Sequence, residues 1–229
     1  MSARGKFITL EGLDGSGKST QLERLATKLR AQEFSVIMTR EPGGTEAGEK
    51  IRKLLLDTQT SGLAPMAELA LMFASRAQHI REVIWPGLEA GQIVLCDRFT
   101  DSSEAYQGGG RKLGSKPILE LHRVLCGDLQ PDLTILMDSD VDSCVERARR
   151  RNSARATTGI SDEGRFESEN RAFFTRVRNA YLEIAKREAQ RVVLVNSRGT
   201  PDQTHAKIWD IVSDRLDALV PSRRAQNVR

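Results

Sequence analysis

A chain of 229 residues with 39% hydrophobic and 29% charged content is long enough to bury one sizeable core, and no apolar run approaches the roughly 18 residues that a membrane span needs. The formal charge of +4 does not describe a polyanion-binding surface, because Arg223, Arg224 and Arg229 fall in the acid-free stretch 221–229 and the body is close to neutral, which excludes a nucleic-acid binder. Cys96, Cys126 and Cys144 show no Cys-x-x-Cys pairing, so neither zinc nor a disulfide framework is indicated; with no signal-peptide pattern in residues 1–6, the expectation is a cytoplasmic protein without a membrane partner.

A β-branched, apolar run at 7–10 predicts the first strand. Directly after it stands Gly12-Leu13-Asp14-Gly15-Ser16-Gly17-Lys18-Ser19, and a helix is predicted over 20–31 with Leu22, Leu25, Ala26 and Leu29 on one face. Successive backbone N–H groups and the positive end of the helix dipole make an anion nest. In this pattern Lys18 reaches the β and γ phosphates and the Ser19 hydroxyl ligates Mg²⁺, so residues 12–19 with Thr20 read as a nucleoside triphosphate site.

The second strand is predicted at 35–39. It is followed by Arg40-Glu41-Pro42-Gly43-Gly44, a stiff turn read as a second phosphate contact, with Glu41 a candidate for metal support. Helices follow at 46–56 and 66–89; on the latter Phe73 and Arg76 share a face, and spacing alone leaves both structural. The third strand, 93–97, ends in Asp97-Arg98: an acid placed to support Mg²⁺ and a guanidinium placed to clamp a second phosphate. Residues 102–111, with Ser102, Ser103, Tyr106 and Gln107, read either as a substrate-lining loop with a glycine hinge or as a plain surface loop.

Helix 117–125, strand 133–138, helix 141–151, helix 167–189, strand 191–196 and helix 201–219 complete the pattern, with a frayed basic tail at 221–229. Arg147, Arg149, Arg150, Arg151 and Arg155 form a dense basic patch running into the polar stretch 152–164. By default it is a solvated helix face; the sharper reading is a flap that closes on polyphosphate, shared by Arg165. Strands alternate with helices and are apolar without alternation, which predicts a three-layer α/β fold: one domain, 1–220, with a doubly wound, five-stranded parallel sheet. The three polar clusters then converge on the C-terminal edge of that sheet, where such folds bind ligands. A GTP-driven switch is excluded, since Asn-Lys-x-Asp is missing and the only Asp-x-x-Gly spacing, Asp14 with Gly17, lies inside the phosphate loop.

In this order and combination, the phosphate loop, the 40–44 turn, Phe73 with Arg76, Asp97-Arg98 and residues 102–111 resemble the thymidylate kinases of the bacterial type over nearly the whole chain. The resemblance implies a P-loop kinase fold, transfer of the γ-phosphate of ATP to dTMP with Mg²⁺, and a homodimer. It implies that Phe73 stacks on thymine and Arg76 hydrogen-bonds a pyrimidine carbonyl. Ser103 and Gln107 would line the base and phosphate pocket, with Ser102 in the same segment. Asp14 would accept from the 3′-hydroxyl, Arg40 and Arg98 would hold the acceptor phosphate, and Tyr106 would crowd the 2′ position. Some members carry an arginine inside the loop where this chain has Gly15; the cation must then come from a lid, taken as about 147–165, with Arg149, Arg150, Arg151 and Arg155 as candidates. Lys18, Asp97 and Arg98 complete the expected catalytic set, with Ser19, Asp97 and Glu41 toward the metal. The alternative is another pyrimidine nucleotide or nucleoside kinase of the same fold.

Overall fold

The structure, a computed structural model, describes residues 4–60, 62–156, 165–166 and 169–219, with backbone only for 151–156 and 217–219. Five parallel strands, β1 (Lys6–Glu11), β2 (Val36–Arg40), β3 (Ile93–Asp97), β4 (Leu133–Asp138) and β5 (Val192–Asn196), form one sheet in the order β2-β3-β1-β4-β5. β1, β3 and β4 are buried almost throughout, which is why their sequences are mostly apolar without alternating; the edge strands β2 and β5 are partly open.

Alternate strand residues feed the two faces. Ile8 and Leu10 pack with Leu22, Leu25 and Leu29 of α1 (Lys18–Ala31) and Ile208 and Val212 of α9 (Pro201–Leu219). Phe7, Val94 and Cys96 face the other layer, built from α3 (Pro65–His79), α6 (Ser115–Cys126) and α8 (Arg171–Arg187). α2 (Glu46–Leu56) starts where its sequence predicts, with Thr45 Oγ1 accepting from the Gly48 N–H at 3.0 Å. The three-layer, doubly wound α/β expectation holds.

Some boundaries differ, each for a local reason. The helix predicted over 66–89 is α3, a π turn at Ile80–Ile84, and α4 (Trp85–Glu89). Pro86 has no N–H and its ring opposes the carbonyl four residues back, and the wider π turn just before it relieves both. Residues 102–111 are not a loop. α5 (Thr100–Ser103) runs into a π turn, Glu104–Gly110, buried along most of its length. Its glycines serve packing: a Cβ on Gly110 would lie 2.5 Å from the Phe173 ring of α8. α7 (Val141–Ala156) extends beyond the predicted end at 151. α8 begins at Arg171 rather than 167, because Asn170 Oδ1 caps it by accepting from Phe173 N–H at 2.9 Å. The expected lid segment 157–164 and the tail 221–229 lie outside the described residues. No described helix is long and apolar enough to cross a membrane.

Candidate active site

Strand register sets the site. Leu10, Asp97 and Arg40 pair in one row across β1, β3 and β2, so the chain leaves all three strands at the same height. Above that row lies a cleft of about 400 Å³ lined by Asp14, Gly15, Gly17, Lys18, Ser19, Thr20, Arg40, Glu41, Arg52, Asp97, Arg98 and Arg147. The three expected clusters are thus brought together. Arg52 and Arg147 join them; neither was among the assigned site residues, although Arg147 belonged to the basic patch.

The phosphate loop is held by its own lysine. Lys18 Nζ donates to the carbonyls of Gly12 (3.1 Å) and Leu13 (2.9 Å). Burial lowers its pKa, as does the neighbouring Arg98, against the pull of Asp97, Asp14 and Glu11. The Leu13 side chain is in the core, so that residue serves the loop through its carbonyl; Ser16 is buried and donates its N–H to the same carbonyl at 3.2 Å. At Gly15, φ is +80° and an added Cβ would sit 2.2 Å from the Cys144 carbonyl oxygen of α7. No side chain fits there, which explains why this loop carries no arginine.

Asp97 Oδ2 accepts from Ser19 Oγ at 3.0 Å, while Oδ1 is buried without a hydrogen-bond partner among the described residues. A hydroxyl beside an orphaned carboxylate oxygen, facing the phosphate nest, is a hard oxygen donor set suited to Mg²⁺. Glu41 does not share it. Its Oε2 accepts from Arg76 Nε at 2.6 Å and its Oε1 pairs with His79 Nδ1 at 2.9 Å. Burial alone would raise the Glu41 pKa, but Arg76 and His79 bring it below the usual value. The expectation of metal support from Glu41 is therefore corrected: one of its oxygens is committed to Arg76 and the other to His79.

Arg98 occupies a left-handed conformation, φ +75°, at the end of β3, a strained position for a non-glycine residue. Nη2 donates to Asp14 Oδ1 (2.9 Å) and Tyr106 Oη (3.2 Å); Nη1 donates to Ser102 Oγ (3.0 Å) and Tyr181 Oη (3.2 Å). Burial works against its charge, and Asp14 leads the groups that more than offset this, holding its pKa above the ordinary arginine value. Arg40, by contrast, is exposed and paired with Glu49 at 3.0 Å.

Arg76 is buried, with Nε on Glu41 and Nη2 on the Phe99 carbonyl (3.1 Å) and Ser103 Oγ (2.9 Å); Nη1 has no partner among the described residues. Phe73 is fully enclosed in the core, its ring 4.6 Å from the Arg76 guanidinium. It supports Arg76 and offers no open face to a base, which departs from the stacking role expected of it. Met72, four residues before Arg76 on the same helix, faces the other cluster, with Tyr106 and Phe166. Gln107 donates to buried Glu68 at 2.8 Å, and Arg165 pairs with the same carboxylate at 2.6 Å.

Of the expected lid arginines, Arg149 Nη2 donates to the Glu169 carbonyl at 3.5 Å and Arg150 pairs with Glu146 on an exposed face. The side chains of Arg151 and Arg155 lie outside the described residues. Arg147, one turn nearer the start of α7, lines the cleft, donating to Ser139 Oγ (3.1 Å) and the Ser143 carbonyl (3.1 Å).

A protein-family model described as thymidylate kinase matches residues 10–208. A thymidylate kinase of Pelobacter propionicus is 47% identical over 214 residues, covering 93% of this chain and 96% of that one. One from Pseudomonas syringae pv. tomato is 47% identical over 213 residues, 93% of this chain and 97% of that one. The crystal structure of a thymidylate kinase from Ehrlichia chaffeensis matches the fold with a TM-score of 0.72 at 31% identity, covering 92% of this chain and 99% of that one. Because the matched span runs from the end of β1 into α9 and takes in every residue of the cleft, the chain belongs to the thymidylate kinase family.

Proposed function

We propose that ATP and dTMP meet end to end above the C-terminal edge of the sheet, with the transferring phosphoryl group between Lys18 and Arg98. The reaction is the ATP-dependent phosphorylation of dTMP. The acceptor is a phosphate monoester whose second pKa is near ~6, so its oxygen is already an anion at neutral pH and no general base is needed. The barrier is the approach of two anions and their alignment in line. Lys18 from the loop, Arg98 from β3 and Arg147 from α7 surround the reacting group from three sides, and each is fixed before substrate arrives. Asp14, held by Arg98 and Tyr106, presents its carboxylate to the acceptor sugar.

Ser19 Oγ and Asp97 would hold Mg²⁺, which when bound supplies charge neutralisation at the donor phosphates. Asp97 takes no proton in this scheme. The exposed Trp85 of α4 and Leu125 of α6 line one open hollow with Ile80, an apolar surface suited to a second copy, in keeping with a homodimer. The three cysteines are buried and free, as suits a reducing cytoplasm.

The observation that carries the choice of acceptor is the buried Nη1 of Arg76, which has no partner among the described residues. A buried donor left unmet costs about 1–3 kcal/mol, and the C4 carbonyl of thymine satisfies it where the C4 amino group of cytosine cannot. Steady-state turnover of dTMP, dUMP and dCMP by the wild type and by Arg76→Lys tests this. The expected result is a preference for dTMP over dCMP of at least about tenfold, largely erased in Arg76→Lys together with roughly tenfold or more of the dTMP kcat/KM. Equal wild-type rates on dTMP and dCMP would refute it.

A further inference from the structure

Glu11 is the last residue of β1, one step before the phosphate loop, and it is fully buried. Its Oε1 accepts from the Phe99 N–H at 2.7 Å, and its Oε2 accepts from Ser102 Oγ at 2.5 Å and from Tyr181 Oη at 2.9 Å. The same two hydroxyl oxygens receive Nη1 of Arg98, at 3.0 and 3.2 Å. A hydroxyl has one proton to give and two lone pairs. Ser102 Oγ and Tyr181 Oη also lie 2.8 Å from each other, within hydrogen-bond reach; in the arrangement where both hydroxyls give their protons to the Glu11 carboxylate, both oxygens turn lone pairs toward Arg98.

We propose that Glu11 and Tyr181 are positioning residues for Arg98: through Ser102 they form a buried hydrogen-bonded bridge that fixes the guanidinium serving the acceptor phosphate. Three features support this. Tyr181 is on α8, 83 residues from Arg98, and does not line the cleft, so its hydroxyl faces the bridge rather than substrate. Its ring already packs among Tyr106, Phe173 and Val177, a packing that phenylalanine would also provide. Glu11 also holds the N–H of Phe99, the residue after the left-handed turn at Arg98, so one carboxylate anchors both the side chain and the backbone of that residue.

The bridge has a polarity that protonation reverses. A neutral Glu11 carries its own proton, becomes a donor, and returns a hydroxyl proton toward Arg98, which has no lone pair to accept it. Burial, with Asp101 next, raises the Glu11 pKa to about 7. The charged and titratable groups facing it are Asp101 on α5, Arg98 after β3, Cys96 on β3, Tyr181 on α8, Lys18 on α1 and Arg191 before β5. The Cys96 and Tyr181 pKa values are raised by burial, and Asp101 is held by a bidentate pair with Arg191 at 2.7 and 2.8 Å. Glu11 is therefore the group that changes charge near neutrality, and Arg98 is held best above that range.

The inference rests on Arg98 serving the acceptor phosphate, so Arg98→Met is measured beside Tyr181→Phe, Ser102→Ala and Glu11→Gln, each in the full-length chain, with kcat and KM for dTMP and ATP followed across the neutral pH range. Tyr181→Phe is expected to lower kcat/KM for dTMP about tenfold while leaving KM for ATP within about twofold. The wild-type rate is expected to fall below about pH 7, above the limb that the acceptor phosphate itself gives near ~6. Glu11→Gln is expected to lack the upper limb and to lose about 100-fold. Wild-type kcat/KM for dTMP in Tyr181→Phe, or an upper limb that survives in Glu11→Gln, overturns the inference; if Glu11→Gln does not fold, Tyr181→Phe and Ser102→Ala decide it. Full activity in Arg98→Met instead overturns the placement of the acceptor phosphate.

Discussion

Replacing Lys18 with methionine is expected to lower kcat by about three orders of magnitude while the protein remains folded. Methionine keeps the unbranched stem within a buried site but removes the ammonium and its bonds to the Gly12 and Leu13 carbonyls. Those bonds tie the lysine to the start of the loop, so the loss has two parts, a missing cation and a loosened cradle. Pre-steady-state measurement across a range of ATP concentrations separates them: the cation acts on the rate at saturation, the cradle on nucleotide affinity. Because burial lowers the Lys18 pKa, wild-type activity also declines on the alkaline side as the ammonium deprotonates, and that limb is expected to vanish in Lys18→Met. A loss under tenfold would remove Lys18 from the account of the reaction.

A comparable effect is expected at α7. Arg147→Ala is expected to lower kcat by about 10³-fold, the scale on which an arginine at a transferring phosphoryl group acts. Arg150→Ala is expected to cost far less, because Arg150 is paired with Glu146 on the exposed face of the helix. Grafting an arginine into the loop does not rescue the defect. The Cβ of Gly15→Arg would fall on the Cys144 carbonyl and within 3.2 Å of the Ala148 nitrogen, so the graft must displace the very helix that carries Arg147. Steady-state rates of Arg147→Ala and of Arg147→Ala with Gly15→Arg check this. Recovery of the double variant to wild-type turnover would show that α7 yields more readily than its backbone contact implies.

The clusters that follow strands were legible in the sequence because an apolar, non-alternating run ending in polar residues has one geometric meaning: a buried strand delivering them to a sheet edge. The phosphate loop, the 40–44 turn and Asp97-Arg98 were all placed in this way. Glu11 gave a weaker signal of the same kind. A carboxylate abutting a strand covered on both faces must be buried, and a buried carboxylate must be met by donors. Its donors, Ser102 and Tyr181, are 91 and 170 residues away, and nothing local identifies them.

Phe73 and Arg76 were harder. Helical spacing put them on one face but could not say which neighbour of Arg76 opens to the cleft. Packing separates the two without opening either to the cleft: Phe73 joins the cluster around Phe99, and Met72 packs on the one containing Tyr106. Glu41 read as a metal ligand because it sits beside the phosphate site. Only three dimensions reveal Arg76 and His79, 35 and 38 residues away, occupying its oxygens. The π turn at Glu104–Gly110 read as a loop since three consecutive glycines disfavour a helix, whereas here Gly109 and Gly110 admit the close approach of α8.

A crystal structure with a bisubstrate compound, adenosine and thymidine joined through their 5′ positions by a polyphosphate chain, measures the meeting of the two nucleotides most directly. The expected result has thymine with a carbonyl on Arg76 Nη1 and the phosphate chain running past Arg98 to Lys18. Thymine bound away from Arg76, or a phosphate chain that touches neither Lys18 nor Arg98, would contradict it.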